Sequence, residues 1–93
     1  MLEEPLSDTE FRRLIRNILE YGTLLFSRHA RQRMKEREMT EQDCRNVLWA
    51  GLLDDCIFEN RSWRYRVRTG TMLVTVAFRN EERAVVVTVW REP

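Results

Sequence analysis

Ninety-three residues, 43% hydrophobic and 33% charged, allow one domain with one core and exclude a disordered chain. No apolar run reaches membrane-spanning length and Met1-Leu2-Glu3-Glu4-Pro5 lacks a signal-peptide pattern, so a cytoplasmic protein with no membrane partner is expected. The formal net charge is only +1, but it is unevenly spread. Residues 28–37 carry Arg28, Arg31, Arg33, Lys35 and Arg37 against Glu36, and residues 61–68 carry Arg61, Arg64, Arg66 and Arg68 with no acid. Lys35 is the only lysine, so nearly every cation is the planar fork that grips phosphate. Two basic clusters on an otherwise acidic body point to a localised anionic partner; solvated surface charge is the blander reading.

Ser7 and Glu10 form a capping box, with Leu6 and Phe11 as its hydrophobic staple. Phe11, Leu14, Ile15, Ile18 and Leu19 follow the stripe of an amphipathic helix that ends at Gly22. Thr23 to Ser27 reads as a short strand that delivers the chain into a second helix stopping near Glu38. Thr40 and Asp43 start a third helix that buries Cys44, Val47 and Leu48 and closes at Gly51. Cys44 and Cys56 with one histidine cannot complete a four-ligand metal site, so free thiols, no metal and no cofactor are expected.

From Leu53 the period becomes two, giving strands near 53–59, 62–69, 71–79 and 83–91 joined by tight turns. The expected fold is α+β, with helices packed on one face of a mostly antiparallel, curved sheet. Alternation assigns Trp63, Tyr65, Val67, Met72, Val74, Val76, Phe78, Val85, Val87 and Val89 to the core face. The other face then carries Arg64, Arg66 and Arg68, with Leu73, Thr75, Ala77, Arg79, Ala84, Val86, Thr88 and Trp90. Such an arginine rail with a terminal tryptophan fits an RNA platform, although taken alone it reads more simply as a solubilising exposed face. Parity alone leaves open whether the first helix covers part of it.

His29 is the single histidine, and on the second helix His29, Arg33 and Arg37 fall at about 0°, 40° and 80° around the axis. Ala30 and Met34 follow at about 100° and 140°, so the ladder borders the buried seam. A helix N-terminus flanked by arginines favours anions and a neutral imidazole, suited to general base and then general acid work on phosphate. The arginines would neutralise the developing charge. Glu36, seven residues on, is expected to pair with an arginine instead.

The run Phe26-Ser27-Arg28-His29-Ala30-Arg31-Gln32-Arg33-Met34-Lys35-Glu36-Arg37 resembles the opening of a family of small prokaryotic proteins catalogued as a domain of unknown function. Its members share a Ser-x-His-Ala-x-x-Arg-Met-x-x-Arg helix, a second helix ending in Gly, and a last strand ending in Thr, an aromatic residue and Pro. The match covers residues 23–93 of a single domain spanning 1–93, with the helix in 1–22 as an added element. That family looks like a relative of the RelE/MqsR toxins, which cut RNA without metal and are silenced by an antitoxin. The resemblance implies a toxin-like endoribonuclease with RNA and an antitoxin protein as partners. It points to His29, Arg33, Arg37 and Thr88 as catalytic residues, with Arg64, Arg66, Arg68 and Trp90 holding RNA. Trp90 replaces the tyrosine of the family pattern, which removes a phenolic acid or base there. The rival readings are a non-catalytic module that binds RNA or protein through the same arginines, and an interaction domain for an acidic antitoxin-like chain.

Overall fold

The computed structural model describes residues 2–93. Its order is α1 (Asp8–Tyr21), β1 (Thr23–Phe26), α2 (Arg28–Glu36), α3 (Glu41–Ala50), β2 (Leu52–Glu59), β3 (Ser62–Thr69), β4 (Met72–Phe78) and β5 (Arg83–Arg91). The α+β class and the element order follow the sequence reading closely because each helix carries its own start signal. Ser7 and Glu10 close a capping box on α1, and Thr40 and Asp43 close one on α3. The Ser7 backbone N–H, and then its hydroxyl, hold the Glu10 carboxyl below its ordinary range. Gly22 and Gly51 end α1 and α3 in extended conformations, so close approach is what selects glycine. A Cβ on Gly22 would strike the Glu82 carbonyl, and one on Gly51 would lie 2.5 Å from the Val47 carbonyl.

The five strands form one sheet in the order β1-β5-β4-β3-β2. The β2–β5 meander is antiparallel, while β1 lies parallel to β5 and pairs only Arg83 to Val86. Asn60 and Arg61, at φ 51° and 65°, make the β2–β3 turn, and Gly70 at φ 55° makes the next. All three helices contribute to a single core with one face of the sheet: Phe11, Ile15 and Ile18 from α1, Ala30 and Met34 from α2, and Cys44, Val47 and Leu48 from α3. The opposite face carries no helix, so α1 does not cover the arginines.

One strand departs from the expected parity. Thr75 pairs with Thr88 but Val76 pairs with Val86, so Val87 is an extra residue in β5. Ala84 and Val86 therefore enter the core at 0% exposure, with Leu24 and Phe26 of β1 beside them. Val85 moves to the open face, opposite Ala77 and Leu25. Beyond the bulge the phase is restored, with Val89 buried and Thr88 and Trp90 on the open face. Trp63 and Met72 are half-buried, packed at the margin of the core.

Tyr65, fully buried, ties the N-terminal segment to the sheet. Its hydroxyl donates to Glu4 Oε2 at 2.8 Å and accepts from the Leu6 N–H at 3.1 Å, and its ring stacks 5.1 Å from Phe11. Burial pushes this phenol well above its ordinary pKa; the Leu6 N–H opposes the rise and the Glu4 carboxylate adds to it. It therefore stays protonated, as a donor, across neutral pH. Tyr65→Phe keeps the stack but strands the Leu6 N–H and removes the donor to Glu4. A loss of about 1–3 kcal/mol in urea unfolding is expected, with an unchanged fold by circular dichroism.

Candidate nucleic-acid interface

The junction between β1 and α2 rests on one hydroxyl. The Ser27 N–H donates to the Val86 carbonyl at 3.0 Å, continuing the ladder by one bond. Ser27 Oγ accepts from the Ala30 N–H at 2.9 Å, capping α2, and donates to the Val87 carbonyl at 2.9 Å. At the far end of the helix the Arg37 guanidinium lies over Trp90, its carbon 3.4 Å from the ring centroid, and Arg91 Nη1 donates to the Glu38 carbonyl at 2.9 Å. α2 thus runs beside β5 from Val87 to Arg91. Nine helical residues rise about 13 Å, as do four strand steps, so the two elements keep pace.

The contacts on either side of the buried Ala30–Met34 seam fix which way α2 faces. On one side Arg31 pairs with Glu41 of α3 at 3.0 Å and lies over Phe26, so that side looks into the helical layer. On the other, Arg37 covers Trp90, a residue of the open sheet face. His29 and Arg33 continue the Arg37 stripe and therefore border the open face too. Thr88, half-buried, follows the bulge at which Ser27 is anchored, two residues before His29. Trp90 pairs with Leu73 and Leu73 with Arg68, so the ladder and the arginine row meet on one surface.

The arginine row itself differs from a bare cationic rail. Arg64 pairs with Glu59 at 3.3 Å, Arg66 with Asp55 at 3.6 Å, and Arg68 with Asp54 at 3.3 Å and Glu92 at 3.9 Å. Such partly exposed pairs contribute under about 1 kcal/mol each, but they screen the positive field the row projects. Glu59, Asp55 and Asp54 come from the neighbouring strand β2 and Glu92 follows β5, and the cross-strand register that brings them together is not visible in local composition. On α2, Arg33 pairs with Glu36 at 3.2 Å, as expected for that glutamate. Among the described residues Arg28, Lys35 and Arg37 have no carboxylate partner, so the α2 segment carries more unmatched charge than the β3 row. His29 is exposed at the first turn, with no hydrogen-bond partner among the described residues.

His29 and Arg37 are about 12 Å apart along the helix axis, so they serve different parts of a ligand. Glu38 and Arg91 join the site although the sequence reading passed over them; Glu38 takes φ 55° at the end of α2. Among the described residues no group of three His, Cys, Asp or Glu side chains is arranged to hold a metal ion. Cys44 and Cys56 are free; burial, then Asp43 and Glu41, push the Cys44 thiol up to about 11, leaving it unreactive at neutral pH.

A family model described as "Domain of unknown function (DUF4258)" matches residues 26–91, from the end of β1 through β5. No curated protein and no solved structure matches the chain. The matched span contains every residue of the seam, whereas α1 lies outside it and still supplies Phe11, Ile15 and Ile18 to the core.

Ser27→Ala removes the cap of α2 and its tie to β5 together. A loss of about 1–2 kcal/mol is expected. Hydrogen exchange should quicken in α2 more than in α3, and an unchanged exchange pattern would show that Ser27 does not anchor the helix.

Proposed function

The chain belongs to the DUF4258 family, and we propose that it is an RNA-binding domain that cleaves its RNA without metal, in the manner of a RelE/MqsR-like toxin. What supports this reading is the alignment of His29, Arg33, Arg37, Thr88 and Trp90 along one seam between α2 and β5, open to solvent on the helix-free face. In the reaction, His29 takes the proton of a ribose 2′-hydroxyl as its oxygen attacks the adjacent phosphorus. The bond to the 5′-oxygen breaks, leaving a cyclic 2′,3′-phosphate, and the imidazolium returns its proton to the departing oxygen. Arg33 exchanges Glu36 for the phosphate and neutralises its growing charge. Thr88 donates to a phosphate oxygen from the strand side. Arg37 and Trp90 hold a neighbouring nucleotide, while Arg64, Arg66 and Arg68 exchange their carboxylates for backbone phosphates further along.

A cytoplasmic toxin of this kind would be silenced by an antitoxin covering the same seam. No helix among the described residues is long and apolar enough to cross a membrane. A second reading, a module that binds RNA without cutting it, is favoured by one observation: among the described residues no carboxylate or carbonyl orients the His29 ring, where a catalytic histidine is usually steered by such a group.

The two readings separate in one assay, incubation of purified protein with single-stranded and ribosome-bound RNA in EDTA. The nuclease reading expects cleavage that falls by about 10²–10⁴-fold in His29→Ala with RNA affinity kept. Intact RNA with the wild type, alongside retention that weakens steeply with salt, would establish the binding module instead.

A further inference from the structure

A polar pocket of about 820 Å³ opens at the C-terminal end of α2, lined by Glu36, Arg37, Glu38, Thr71, Arg91 and Glu92. We propose that this pocket reads a guanine base, Arg37 taking its O6 and N7 and Glu38 its N1–H and N2 amine. The proposal rests on the reading that RNA lies along the seam, and it assigns the base chosen at the seam's far end.

Arg37 is preset for this task. Contact with Trp90 restrains its guanidinium, whose carbon lies 3.4 Å from the ring centroid, and its Nε is buried with no acceptor among the described residues. Among the described residues no carboxylate engages its fork, although the arginines of β3 and Arg31 and Arg33 of α2 all have one. A base held by that fork would lie beside Trp90, which is 41% exposed.

Glu38 provides an independent sign. α2 ends in a Schellman motif: the Met39 N–H donates to the Met34 carbonyl at 2.8 Å and the Glu38 N–H to the Lys35 carbonyl at 3.4 Å. The two methionines, both buried, supply its hydrophobic contact. Glu38 occupies the left-handed position at φ 55°, where glycine is strongly preferred. Its backbone does not call for a glutamate, and its carboxylate has no partner among the described residues, so the side chain serves something outside the chain. Arg91 holds the Glu38 carbonyl and keeps this turn in place. The other two acids are engaged, Glu36 with Arg33 and Gln32 and Glu92 with Arg68.

Two arginines facing three glutamates make a poor site for a bare phosphate and a good one for a ligand with both acceptors and donors. Guanine places two acceptors, N7 and O6, beside two donors, N1–H and the N2 amine. Adenine offers the arginine fork a donor at N6, cytosine has only its N4 amine for the carboxylate, and uracil has only N3–H between two acceptors.

The test measures binding of the full chain to fluorescent 2′-O-methyl hexanucleotides, which resist cleavage. One series carries a single guanine; others replace it with adenine, with inosine, which lacks the N2 amine, or with 7-deazaguanine, which lacks N7. About tenfold tighter binding of the guanine oligonucleotide than the adenine one is expected, with inosine and 7-deazaguanine each losing part of the gain. Arg37→Lys keeps the charge and should lose the preference. Glu38→Gly should lose it too while raising the melting temperature, a combination a purely structural glutamate would not give. Equal binding of guanine and adenine oligonucleotides, or a preference that survives Glu38→Gly, overturns the guanine site while leaving RNA binding standing. Failure to bind any of the oligonucleotides overturns the RNA reading itself.

Discussion

The functional surface depends on the Ser27 hydroxyl. β1 is four residues long and leaves the edge of β5 without a strand neighbour from Val87 onward. A bare edge there would expose backbone groups to chance pairing. Ser27 ends the strand pairing, caps α2 and binds the Val87 carbonyl, so a helix takes over the edge where the strand gives out. Ala30, with its single methyl, lets α2 approach closely, and Met34 and Val89 both belong to the shared core. The same stitch sets the rotation of α2. With Ala30 and Met34 facing inward, the His29 stripe has to lie along the open sheet face.

Electrostatics then divides that surface into two parts. The arginines of β3 face acids of β2 across one ladder, which keeps a dense row of like charges on a single strand from repelling itself. Arg28, Lys35 and Arg37 of the α2 segment have no carboxylate partner among the described residues, so on this face the unmatched charge lies along the helix. An anionic chain laid on this face would meet unmatched charge first on α2 and would then have to displace carboxylates to reach the row. Each exchange costs little because the pairs are partly exposed. The row therefore contributes extension and register more than affinity.

Much of this was legible locally. Capping boxes at Ser7 and Thr40, the apolar stripe from Phe11 to Leu19 and the glycines after α1 and α3 carry enough short-range physics to place the helices within a residue or two. The Val87 bulge was not legible: Val85, Val86 and Val87 are identical side chains, so alternation cannot register a one-residue slip among them. The masking of Arg66 by Asp55, and of Arg68 by Asp54, was also hidden, because it depends on strand register. Arg37 and Trp90 are more than fifty positions apart, and nothing between them announces that they stack.

By itself, then, the amino-acid order determined the elements, the α+β class and the cationic stripe of α2, because caps, periodicity and turn residues act over a few neighbours. Tertiary structure decided what that stripe looks onto, which arginines stay unpaired, and that Glu38 sits in a glycine position beside them. Those outcomes follow from the short reach of β1 and the extra residue in β5. Both become defined only when distant backbone groups pair, since a hydrogen bond across a sheet leaves no mark on local composition.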